Sequence, residues 1–81
     1  MTYRRERDIP RLIGICEAEL ADDLMSRASL VAKLNRFLVT ESKRGSEGHW
    51  AYCQTRHKGL IDAVKIEQEA LDRLWQEQHA L

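Results

Sequence analysis

An all-α fold is predicted by three features of this 81-residue chain. Apolar residues recur at steps of three and four in both halves, and no run alternates with the period of two that a half-buried strand shows. Glycine and proline are few, and the only strong interior turn signal is "KRGSEG", residues 43–48. Two long helices joined by a short turn pack antiparallel, so the expected architecture is a two-helix hairpin forming a single helical domain over residues 1–81.

Residues 1–7 read as a solvated N-terminal arm, because Arg4, Arg5 and Arg7 would oppose the dipole of a helix beginning there. The first helix is expected over 8–42, capped by Asp8, with Pro10 tolerated in its first turn. Its apolar stripe is Ile9, Ile13, Cys16, Leu20, Leu24, Ala28, Val31, Leu34 and Leu38. A break near residues 26–29 is the alternative, and it would turn the hairpin into three helices. The turn is assigned to 43–46 and the second helix to 47–80, with Ser46 as its N-cap. That helix carries Trp50, Cys53, His57, Leu60, Val64, Glu67, Leu71, Leu74 and Gln78 in alternating steps of three and four, a coiled-coil-like heptad with polar members at His57, Glu67 and Gln78. The expected core is Ile13, Cys16, Leu20, Leu24, Val31, Leu34 and Leu38 from the first helix against Trp50, Cys53, His57, Leu60, Val64, Leu71 and Trp75 from the second.

A turn centred between Gly45 and Ser46 makes facing residues sum to about 91. This sets Val31 against Leu60 and Leu20 against Leu71. It also sets Val64 against Arg27, Leu24 against Glu67 and Leu74 against Glu17, which are poor layers.

The chemistry-bearing segment is "GHWAYCQTRH", residues 48–57. His49, Cys53 and His57 fall one helical turn apart in succession, and neighbouring pairs could chelate a metal. A straight helix separates the outer two by about 12 Å, too far for one ion, so Glu41 or a second subunit would have to complete the site. Cys53 and His57 could touch as a nucleophile and base, yet a helical seam offers no oxyanion hole and no cleft. No catalytic residue, no metal site and no cofactor is therefore expected.

Thirteen basic and thirteen acidic residues cancel, which removes the global positive field of a dedicated nucleic-acid binder and leaves only local patches. Such a patch is expected at the turn end: Lys43, Arg44, Arg56 and Lys58 with an exposed Tyr52, joined by Lys33 and Arg36. No stretch approaches the roughly 18 uninterrupted apolar residues of a membrane span. The two cysteines lie far apart without a C-x-x-C motif, so a reducing cytoplasm is the expected compartment and no membrane partner is expected.

Leu12, Leu30 and Phe37 widen the apolar face of the first helix beyond what one antiparallel partner covers, the mark of an interface. Charge suggests how it is used. Residues 27–58 carry +5, whereas residues 12–26 and 59–81 together carry −7. Two antiparallel hairpins would set each basic turn end beside the partner's acidic open end. The expected protein is a small non-enzymatic interaction module, acting as a homodimeric four-helix bundle, an adaptor or an inhibitor of a larger protein. Binding of RNA or DNA through the basic turn end is the alternative.

Overall fold

The computed structural model describes residues 3–15 and 17–79. Among these residues the chain forms three α-helices and no strand: α1 (Arg5–Ile13), α2 (Leu24–Ser46) and α3 (Gln54–His79), with a single 3₁₀ turn at Glu17–Leu20 between the first two. Three helices thus replace the expected two. The predicted core position Cys16 lies outside the described residues.

The expected helix over 8–42 is interrupted, but at 14–23 rather than at 26–29. Gly14 takes the left-handed conformation at φ 63° and donates its N–H to the Pro10 carbonyl at 2.9 Å, which closes α1. Asp23 then starts α2 as an N-cap, its carboxylate accepting the Ser26 N–H at 3.1 Å. Helix α1 also begins earlier than expected. Asp8 lies inside it and reaches back to accept the Arg4 N–H at 2.8 Å, which satisfies a donor at the helix start. Residues 5–7 of the expected arm are therefore helical.

The turn at 43–46 is corrected as well. Helix α2 runs to Ser46 because Gly48, not Gly45, adopts positive φ. The His49 N–H reaches the Arg44 carbonyl at 2.9 Å and the Gly48 N–H reaches that of Gly45 at 3.3 Å, the bond pair of a Schellman motif. Ser46 does not cap the next helix; its hydroxyl donates to the Lys43 carbonyl.

Helices α2 and α3 run antiparallel, as Arg27 meets Glu67 at one end and Ser42 meets His57 at the other. Those numbers sum to 94 and 99, not to the expected 91, because the connection spans 47–53 and shifts the register. The slip removes the first two poor layers, since Arg27 now faces Glu67 instead of Val64. Ile9 of α1, Leu30, Val31 and Leu34 of α2, and Leu60 and Ala63 of α3 are buried. Tyr3, Leu12, Ile13, Ile15, Leu20, Leu38 and Val64 pack around this centre.

The nine residues of α1 span only about 13 Å against about 39 Å for α3, so α1 covers one stretch of one side of the α2–α3 pair. Two buried glutamates hold the layers together. Glu67, 1% exposed, accepts from Arg5 and Arg27 on one oxygen and from the Tyr3 hydroxyl on the other. Arg5 also donates to the carbonyls of Leu20 and Ala21, tying α1 to the chain that leads into α2. Arg5 is thus an anchored residue, not part of a solvated arm. No helix among the described residues is long and apolar enough to cross a membrane.

Candidate functional site

Three features of the molecule bear chemistry: a polar centre at the loop end of α2 and α3, an arginine-lined cleft beside α1, and an uncharged face on the far side of the α2–α3 pair.

The polar centre grows from Glu41, a 2% exposed carboxylate one turn before the end of α2. Its Oε1 accepts the Cys53 N–H at 2.8 Å, so a side chain of α2 satisfies an otherwise orphaned donor at the start of α3. Its Oε2 lies 3.4 Å from Arg56 and 3.7 Å from Arg44. The Cys53 N–H, with Arg56 and Arg44 beside it, holds the Glu41 carboxyl below the ordinary glutamate range in spite of its burial.

Next to it, His57 is hydrogen-bonded through Nε2 to Ser42 Oγ at 3.1 Å and through Nδ1 to the Tyr52 hydroxyl at 2.8 Å. A serine, a histidine and an orienting group in a row have the connectivity of a nucleophile and its base. Three of the backbone donors around the start of α3 are engaged within the chain. The Cys53 N–H is taken by Glu41, that of Arg56 by Cys53 Sγ, and that of His57 by the Cys53 carbonyl. The row is better understood as a clasp that fastens the loop to both helices. Tyr52 lies with its ring against Gly45, half-buried rather than exposed as expected.

The proposed ligand row of His49, Cys53 and His57 is not a helical row, because α3 starts only at Gln54 and His49 sits in the loop. Among the described residues no group of three or more His, Cys, Asp or Glu is placed to hold a metal ion.

The cleft brings together residues remote in sequence. Arg11 of α1, Arg36 and Arg44 of α2 and Arg56 of α3 line a cavity of about 320 Å³ that also presents Phe37. Of the predicted turn-end cations, Arg44 and Arg56 face this cleft. Lys58 lines an adjoining cavity of about 370 Å³ with Arg7, Arg11 and Asp62, whereas Lys43 is exposed and lines neither. Arg11 was not among the residues singled out for this patch; once α1 is folded back onto the pair, it becomes part of it.

The third feature lies on the opposite side. On α2 it comprises Leu24, Ala28, Asn35, Leu38, Val39 and Ser42; on α3 it comprises His57, Ile61, Val64, Gln68, Leu71 and Trp75. Both rows follow helical spacing, and neither contains Asp, Glu, Lys or Arg, although these make up 32% of the chain. Leu12 of α1 meets Gly59, which lies about 160° round α3 from Ile61, so α1 occupies the other side. Val39 is 67% exposed, Ile61 48% and Trp75 54%.

Several expected positions move between core and surface. Trp50, predicted to be core, is 91% exposed because it belongs to the loop and not to a helix. Trp75, also predicted to be core, stacks on His79 with ring centroids 4.1 Å apart, on the exposed row. Leu30, predicted to be at an interface, is buried at 3%, and Leu12 packs into the core, because α1 folds over both. Phe37 stays exposed at 42%. Val31, Leu34 and Leu60 are buried, while Ile13, Leu20, Leu24, Leu38, Cys53, His57, Val64 and Leu71 are half-buried. Ala63 is buried without having been foreseen, and only its spacing of three from Leu60 signals it.

Comparison with models of known families, with curated proteins and with solved structures gave no match.

Proposed function

We propose that this protein is a non-enzymatic interaction module whose primary partner is a second copy of itself, the two α2–α3 pairs joining through their uncharged faces into an antiparallel four-helix bundle. The observation that carries this reading is the absence of charge along twelve exposed or half-buried positions on two adjacent helices, in a chain nearly a third of whose residues are charged. Chance surface does not distribute charge that way, and a face with exposed Val39, Ile61 and Trp75 gains by leaving water.

The opposed charges of the two ends favour an antiparallel arrangement. The basic region 27–58 of one chain would lie beside the acidic 12–26 and 59–81 of the other. Such a contact is isologous, as closed twofold dimers require. The α1 side, with its arginines, stays outward in both copies.

Light scattering on purified protein tests the reading. The expected mass is that of two 9.4 kDa chains, falling to one chain in Ile61→Glu, which places a carboxylate in the face without disturbing a buried residue. A single-chain mass for the unaltered protein at high concentration would refute it.

A further inference from the structure

We infer that the cleft between α1 and the loop end of α2 and α3 is a binding site for single-stranded nucleic acid, with phosphates held by Arg11, Arg36, Arg44 and Arg56 and a base lying on the Phe37 ring. The cleft is on the opposite side of the α2–α3 pair from the uncharged face, so this inference and the proposed dimer stand or fall separately.

Charge supplies the first argument. Four guanidiniums from three helices line one cavity, and the one acid among its lining residues is Glu41. That carboxylate is already committed, with Oε1 to the Cys53 N–H and Oε2 facing Arg56 and Arg44. Arg11 and Arg36 take part in no ion pair among the described residues, and both are exposed. Three arginines outside the cleft are closely paired: Arg5 and Arg27 share Glu67 and Asp22, and Arg7 holds Asp8. Convergent, incompletely neutralised guanidiniums repel one another and are relieved by an anion with several oxygens. Phosphate suits them best, because the planar fork of arginine meets two of its oxygens at once.

Shape and apolar character supply the second. A volume of about 320 Å³ is at the lower end of what small-molecule sites occupy, enough for a nucleotide unit. Phe37 is 42% exposed, one residue from Arg36 and two helical turns from Arg44. An aromatic ring among cations is the pairing with which single-strand binders hold bases of any identity. The cleft is open at the surface, so a strand can pass through it.

The test uses fluorescence polarisation of a labelled ten-nucleotide oligouridylate with the full chain. Inorganic polyphosphate and uridine monophosphate serve as competitors. If three to four phosphates are contacted, raising salt from 50 to 200 mM should weaken binding roughly 20- to 50-fold. Phe37→Ala should lose at least about fivefold toward the oligonucleotide while leaving polyphosphate competition unchanged. The exposed double variant Arg11→Gln, Arg36→Gln, checked for unaltered helix content by circular dichroism, should lose at least tenfold, and Lys43→Gln, outside the cleft, should lose less than twofold. Unchanged binding in the double variant would overturn the site. Equal losses in Lys43→Gln would show diffuse attraction, insensitivity to Phe37→Ala would remove the base contact, and a monophosphate bound as tightly as the strand would overturn the strand as ligand.

Discussion

Arg27 Nη1 donates to Glu67 Oε1 across 3.3 Å and forty positions of sequence, and this contact marks the register of α2 on α3. Placing both residues at one level replaces two polar-on-apolar layers of a shorter turn with a single ion pair. Arg5 then adds a second guanidinium at 2.9 Å, so the same carboxylate oxygen joins all three helices.

Removing that carboxylate should be costly. Glu67→Ala would leave two guanidiniums, each with a side chain at most 15% exposed, sharing only Asp22, itself 82% exposed, as a counter-charge. The expected loss is about 3 kcal/mol in urea unfolding, the low end of the range for breaking a buried pair from one side, because Asp22 still faces both arginines. A loss below about 0.5 kcal/mol, typical of surface substitutions, would show the network to be solvated.

Leu60 and Trp50 separate core from loop. Leu60 is fully buried, so Leu60→Ala should destabilise by about 2–5 kcal/mol. Trp50 is 91% exposed, and Trp50→Ala should stay within about 0.5 kcal/mol despite removing the larger side chain. Thermal unfolding of the two variants side by side decides it, and the reverse order would restore the tryptophan to the core.

Acid should weaken the fold through Glu41. Its carboxyl is held below the ordinary value, first by the Cys53 N–H and then by Arg56 and Arg44, so the unfolded chain binds the proton more readily than the folded one. The stabilisation is complete above the unfolded value of about 4.5 and is lost as pH falls through the folded one. Asp23 shifts the same way, through the hydroxyl and backbone N–H of Ser26. Glu41→Gln should therefore flatten the fall in stability below about pH 4.5, and an unaltered acid limb in that variant would count against the assignment.

Gly45 is required for its size. A β-carbon there would sit 2.8 Å from Tyr52 Cε2, so Gly45→Ala should displace the ring that bonds His57 at 2.8 Å. Gly14 is required for its backbone, and Gly14→Ala at φ 63° should cost about 1–2 kcal/mol with nothing to clash against. Tyr52 fluorescence or ring resonances should shift in the first variant and not in the second; a shift in both would mean that the loop and α1 are coupled.

Orientation in the proposed dimer can be read with a nitroxide at exposed Glu47, native cysteines replaced by serine. Antiparallel pairing should put the two labels on the order of 35 Å apart, about the length of α2. A separation under about 20 Å would place the loops side by side.

Helical periodicity, the missing strand signal and the apolar spacing of Val31, Leu34 and Leu60 are local properties, and the sequence by itself determined the all-α class and those core positions. It also carried the marks of the real boundaries: Gly14 after an apolar run, Asp23 before Leu24, and a second glycine at position 48. Only the tertiary structure chose among them. A left-handed glycine is worth adopting when the chain that follows can fold back onto a core, and burial of Ile9 and Leu12 against α2 and α3 made Gly14 such a place. The same folding-back made Glu67 a buried counter-ion for Arg5 and carried Arg11 to the side of Arg36 and Arg56. Helical spacing reports which residues share a face; which faces meet depends on contacts between elements far apart in the chain, and that sum over the whole core is set only when the helices pack.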